Sequence, residues 1–174
     1  MLKKVMEQWN KNKDKLRSDL ANDVKLNSCE YIYLVEKVVS IILNNGDNDN
    51  YDYNIFSIKN ITQIDNGDYQ GTLLFIIPRN TYQPSAAEYL MTYVNYGSCS
   101  GCDTLQRIQG WIDEPPTEQQ LNDYMALCLH LCENMTKPYK CSWWKDYDEE
   151  LNLNKDMDIL SELYAAARKA EYEE

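Results

Sequence analysis

Histidine is almost missing from this chain: His130 is the only one among 174 residues. Zinc sites built on two imidazoles are therefore excluded, and a Ser-His-Asp arrangement has one side chain to draw on. Basic charge is also short. Seventeen Lys and Arg face 28 Asp and Glu, a net charge of −11, which argues against a general nucleic-acid binder, since such affinity comes mainly from cations neutralising phosphates. No stretch approaches the ~20 apolar residues of a membrane-spanning helix. Only six glycines are present, and none builds a phosphate-cradling loop or a dinucleotide fingerprint; no helix carries a paired-histidine metalloprotease motif.

Hydrophobic residues make up 44% of the chain, too many for a disordered polymer. A chain of this length buries roughly 70% of its unfolded surface, enough for a core without staples. The start, Met1-Leu2-Lys3-Lys4-Val5-Met6-Glu7, is basic with no apolar stretch behind it, so a cytoplasmic chain with reduced thiols is expected.

Apolar spacing predicts an amphipathic helix over 5–24 (Val5, Trp9, Leu16, Leu20, Val24) and a second over 29–44, capped by Ser28 and stopped at Asn44-Asn45-Gly46. Residues 47–53 read as a polar surface turn. A hairpin follows: a strand over 55–64, an Asn66-Gly67 turn, and a return strand from Tyr69 to Ile77 whose run Leu73-Leu74-Phe75-Ile76-Ile77 calls for cover on both faces. Residues 88–96 read as a third strand. Asp103-Thr104-Leu105-Gln106 has the form of a capping box opening a short helix that ends near Gly110-Trp111, and Thr117-Glu118-Gln119-Gln120 caps a helix over 118–135. A last helix is expected over 155–171. Strands in a run between helices give an α+β fold: a three-stranded antiparallel meander packed with N-terminal and C-terminal helices, one domain over 1–174 with a short acidic C-terminal end.

Six cysteines are present. Cys99 and Cys102, separated by two residues in Gly97-Ser98-Cys99-Ser100-Gly101-Cys102, fit three chemistries. They can be half of a zinc knuckle, completed by Cys128 and Cys132. They can form a redox or nucleophilic thiol pair next to a helix start. They can also be small hydrophobes in a tight glycine-containing turn. His130 cannot join Cys128 and Cys132 on one metal, because it lies about 200° around the helix from Cys128. Cys29, Cys128 and Cys132 fall on apolar helix faces and read as core.

The string Tyr96-Gly97-Ser98-Cys99-Ser100-Gly101-Cys102-Asp103-Thr104-Leu105 resembles a motif in small uncharacterised proteins of tailed bacteriophages. The hairpin segment Gly67–Leu73 and the Tyr-rich strand 89–96 are similar as well, over about residues 65–110. This resemblance implies a phage or prophage origin and names no reaction.

Charge is graded along the chain. Residues 1–17 hold six Lys/Arg against two acids, while 146–174 hold ten acids against three Lys/Arg. With Trp143-Trp144 beside it, the acidic stretch Asp146, Asp148, Glu149 and Glu150 is the expected partner-binding surface. The functional expectation is a non-enzymatic phage-type protein that binds a host protein, with a nucleic-acid-handling or defence enzyme as the target class and acidic surface standing in for nucleic acid. A metal- or thiol-dependent enzyme, or a zinc-stabilised module, centred on Cys99 and Cys102 is the alternative. A minor virion or assembly protein is a third. Direct binding of nucleic acid or membrane is not expected.

Overall fold

The first helix forms because its apolar residues recur every three or four positions. In the computed structural model, which describes residues 1–46, 55–110 and 114–138, α1 spans Leu2–Leu20 and buries Val5, Trp9, Asn12, Leu16 and Leu20. Asn12 occupies an apolar-stripe position yet is buried, and its Nδ2 donates to the Ile42 carbonyl at 3.1 Å. A buried amide in that stripe is tolerated because it has a partner. The helix stops earlier than its periodicity predicts: Val24 is exposed and starts a separate 3-10 turn, Val24–Ser28, capped by Asp23.

The second helix does not start from Ser28. α2 spans Tyr31–Lys37, with Glu30 at its N-cap making no side-chain bond. It runs on as a π-helical turn, Val38–Leu43. The wider winding shows in the Asn44 amide, which reaches back five residues to the Val39 carbonyl at 2.9 Å. Val38, Val39, Ile41 and Ile42 are all buried there, so this is the central helix its all-round apolar character predicts. The predicted stop is observed, with Asn45 and Gly46 at φ 55° and 78°, the left-handed pair that terminates helices.

The sheet is a three-stranded antiparallel meander in the order β1-β2-β3, so the α+β class is observed. β1 is Thr62–Asp65, β2 Gly71–Pro78 and β3 Tyr89–Tyr96. The first strand is much shorter than 55–64. Phe56 still bridges Arg79 beyond the end of β2, with the Ser57 amide on the Pro78 carbonyl and the Asn80 amide on the Ile55 carbonyl, both at 2.9 Å. The Asn44 side chain bonds the other edge of Phe56, donating to its carbonyl and accepting from its amide, both at 2.9 Å. The chain then turns between Ile58 and Ile61.

The Asn66-Gly67 turn is also corrected. Asp65 pairs with Leu73 and β2 begins at Gly71, so residues 66–70 form the connection, and Gly67 keeps an ordinary φ among the described glycines. Local side-chain bonds outcompete the two-residue turn. Asp65 Oδ1 accepts from the Gly67 amide at 3.0 Å, Asn66 Oδ1 accepts from Thr72 at 2.7 Å, and the Tyr96 hydroxyl lies 2.7 Å from both Asp65 Oδ1 and the Gly67 carbonyl. The return strand therefore begins at Gly71, leaving Tyr69 exposed.

On β2 and β3, Leu73, Phe75 and Ile77 pair with Val94, Thr92 and Leu90, and this face meets the helices in one core. Leu74 and Met91, on the opposite face, are buried too, as the continuous apolar run of β2 requires.

Two helices complete the described residues. α3 is Thr104–Ile108 and α4 is Glu118–Glu133. The predicted Thr117 capping box is present, with Thr117 Oγ1 accepting from the Gln120 amide at 3.3 Å and Gln120 Oε1 accepting from the Thr117 amide at 3.0 Å. Leu121, Tyr124, Leu127, Cys128, Leu131 and Cys132 are buried on α4. Its C-terminal end is tied to the sheet: Thr92 donates to the Leu131 carbonyl at 2.6 Å, and Met91 and Thr136 exchange backbone bonds at 2.8 Å. No helix among the described residues is long and apolar enough to cross a membrane. The chain divides at Lys140, and these elements all belong to the Met1–Lys140 unit. The predicted turn at 47–53 and helix at 155–171 lie outside the described residues.

Candidate functional site

β3 ends at Tyr96 and α3 begins after Asp103, so the Gly97–Cys102 segment must reverse direction between a strand and a helix. It does so around Cys99, whose carbonyl accepts from the amides of Cys102 at 2.9 Å and Asp103 at 2.8 Å. This pulls the two cysteines together. Their sulfurs are 3.0 Å apart, the Cys99 amide donates to Cys102 Sγ at 3.2 Å, and both residues are exposed.

Asp103 anchors the turn. It is buried and does two jobs, only one of them legible from its sequence context. Oδ1 accepts from the Gln106 amide at 2.8 Å, the expected helix cap. Oδ2 accepts from the Gly97 amide at 3.2 Å, which clips the near end of the cysteine turn to the start of α3. Gln106 does not complete a capping box; its Nε2 lies 3.4 Å from the Gly97 carbonyl instead. From 72 residues away, Tyr31 donates its hydroxyl to Asp103 Oδ1 at 3.3 Å and accepts from the Leu105 amide at 3.1 Å. Burial pushes the Tyr31 phenol up to about 12. No local pattern in the sequence points to Tyr31 as part of this support.

Gly97 is required by close approach: a Cβ there would sit 2.5 Å from Cys102 Sγ and 2.7 Å from the Cys102 carbonyl oxygen. The Cys99 thiol is held below the usual cysteine range, first by the hydrogen bond from Cys102 and then by the backbone of Gly101 and Cys102.

The other described cysteines behave differently. Cys128 and Cys132 are fully buried on the inward face of α4. Burial raises the Cys128 thiol strongly and pushes Cys132 up to about 12. Cys29 is half-buried, pushed up to about 11 by burial, against which the hydrogen bond from Gln109 acts. Among the described residues no three His, Cys, Asp or Glu side chains gather into a group that could hold a metal ion. Cys128 and Cys132 are thus not brought to Cys99 and Cys102, and the four-cysteine arrangement is not assembled. His130 is exposed, with Nε2 3.1 Å from Asn134 Nδ2; it looks away from Cys128, as helix geometry requires. It lines a groove of about 490 Å³ together with Asn95, Thr104, Arg107 and Asp123.

Glu88, a carboxylate near the turn in sequence, is used locally, accepting from the Ser85 amide at 2.9 Å and hydroxyl at 2.8 Å. Trp143, Trp144, Asp146, Asp148, Glu149, Glu150 and Cys141 lie outside the described residues. No family model, no curated protein and no solved structure matches this chain.

Proposed function

We propose that this chain is a non-enzymatic interaction protein of phage type that binds a basic, nucleic-acid-handling host protein through its acidic, tryptophan-bearing last quarter. The segregation of charge carries this reading. Residues 1–145 hold 14 Lys/Arg against 18 Asp/Glu and residues 146–174 hold three against ten, so seven of the 11 net negative charges fall in the last 29 residues. A nearly balanced body joined to a strongly acidic stretch supports an electrostatic docking role for that stretch, with Trp143 and Trp144 as apolar anchors and Asp146, Asp148, Glu149 and Glu150 facing cations. Binding of host nucleic-acid-handling proteins, measured at ~0.1 M and ~0.5 M salt, tests it, because exposed charge pairs are screened over about 10 Å or less. Binding is expected to weaken with salt and with the variant Asp146→Asn, Asp148→Asn, Glu149→Gln, Glu150→Gln. Binding indifferent to both overturns the reading.

The Cys99–Cys102 turn favours a second, thiol-dependent role, carried by the 3.0 Å separation of two exposed sulfurs.

A further inference from the structure

We propose that Cys99 and Cys102 form a thiol–disulfide exchange site that takes an accessible disulfide as its substrate and closes to an intramolecular disulfide. The inference stands on the turn alone and is independent of the acidic segment.

Both sulfurs are exposed, so an incoming disulfide reaches them without unfolding. They are not equivalent. Cys102 Sγ lies 3.3 Å from the Cys99 carbonyl oxygen, to which only its protonated form can donate, and 3.0 Å from Cys99 Sγ. A protonated Cys102 beside it favours the Cys99 thiolate, in line with the lowered Cys99 thiol, which makes Cys99 the attacking atom. Cys102 is the resolving thiol. It lies 3.0 Å from Cys99 Sγ, and closing that gap to the ~2.05 Å of a disulfide takes about 1 Å of movement. The backbone already holds the two residues in one turn through the paired bonds to the Cys99 carbonyl. Asp103 and Gly97 fix the frame around it: the carboxylate clips the Gly97 amide, and the missing Cβ leaves room for Cys102 Sγ. Internal resolution is fast when the second nucleophile is held this close.

The chemistry balances. The Cys99 thiolate attacks one sulfur of the substrate disulfide; the bond to Cys99 forms and a thiolate leaves. The Cys102 thiolate then attacks the Cys99 sulfur, forming the internal disulfide and expelling the second thiolate. Two protein thiols are oxidised, one disulfide is reduced to two thiols, and the two protons lost from the cysteines go to the leaving thiolates or to solvent.

The test uses the full chain carrying Cys141→Ser, which removes a competing thiol, reduced and then exposed to glutathione disulfide at neutral pH. Mass spectrometry is expected to show a loss of about 2 Da, no retained glutathione, and a bond mapped to Cys99–Cys102. With Cys102→Ser added, glutathione is expected to stay on Cys99, a gain of about 305 Da. With Cys99→Ser instead, adduct formation is expected to slow by about tenfold, since the activated thiolate is gone. Persistent adducts on both Cys99 and Cys102 overturn the proposal, as does closure mapped to other cysteines. So does reduced protein, purified without chelator, that holds stoichiometric zinc on this pair and resists exchange. Asp146→Asn, Asp148→Asn, Glu149→Gln, Glu150→Gln is expected to leave exchange unchanged, which separates failure of this inference from failure of the acidic-segment reading.

Discussion

Two cysteine pairs in this chain look alike in one dimension. Cys99 and Cys102 are three positions apart, Cys128 and Cys132 four, and all four were candidates for one metal. In space one pair lies exposed on a turn between β3 and α3, its sulfurs 3.0 Å apart and the Cys99 thiol held below the usual range by its hydrogen bonds. The other lies on the buried face of α4, where no water reaches the thiols. One environment favours the thiolate and the other disfavours it. Cysteine chemistry here is set by what surrounds the sulfur rather than by the spacing between sulfurs.

The widest split between the pairs is expected from introducing charge. Cys128→Asp places a carboxylate in the core and is expected to cost about 3–5 kcal/mol, whereas Cys99→Asp on the exposed turn is expected to stay within about 0.5 kcal/mol of wild type. Urea denaturation of both variants measures the difference, and equal costs would break the comparison.

Asp103→Ala is next. It removes the α3 cap and the Gly97 clip together and is expected to cost about 2 kcal/mol. It is also expected to slow disulfide closure at the turn while leaving the α4 cysteines protected from thiol reagents. Asp103→Asn, which keeps a cap acceptor, is expected to recover part of the stability.

A smaller effect comes from alkaline pH. The Cys29 and Cys132 thiols sit at about 11 and about 12 in the folded chain, above the 9.0 of a free thiol. Above pH 9 the unfolded chain loses these protons while the folded chain keeps them, so stability declines as pH rises from 9 towards 12 and is intact below 9. The urea midpoint is expected to fall between pH 8 and about 11, and Cys29→Ala with Cys132→Ala is expected to flatten that fall.

The finest distinction is kinetic. Iodoacetamide is expected to modify Cys99 first, with a rate-against-pH curve displaced to lower pH than that of a cysteine in a short peptide, because only the thiolate reacts. Equal rates at Cys99 and Cys128 in native protein would remove the distinction altogether.

Much of the fold was legible because burial writes itself into spacing. The stripe of α1, the broad face of α2 and the continuous apolar run of β2 each predicted a buried surface, and each is buried. What was misread involved side chains acting on distant backbone. Asn44 bonds the free backbone edge of Phe56, and Tyr96 together with Asp65 reshapes the Asn66-Gly67 connection. The cysteine turn was visible as a string, and Asp103 as its cap; the clip to Gly97 and the support from Tyr31 were not, since neither follows a local spacing.

By itself the sequence determined the α+β class, the helical caps at Asp103 and Thr117, the core placement of Cys128 and Cys132, and the separation of His130 from them. These follow from helix and strand periods and from local hydrogen bonding, which act over a few residues. Only the tertiary structure decided that Cys99 and Cys102 stand exposed with sulfurs 3.0 Å apart. That it kept them separate from the α4 pair follows from packing between elements, which buries one set of thiols and leaves the other in water.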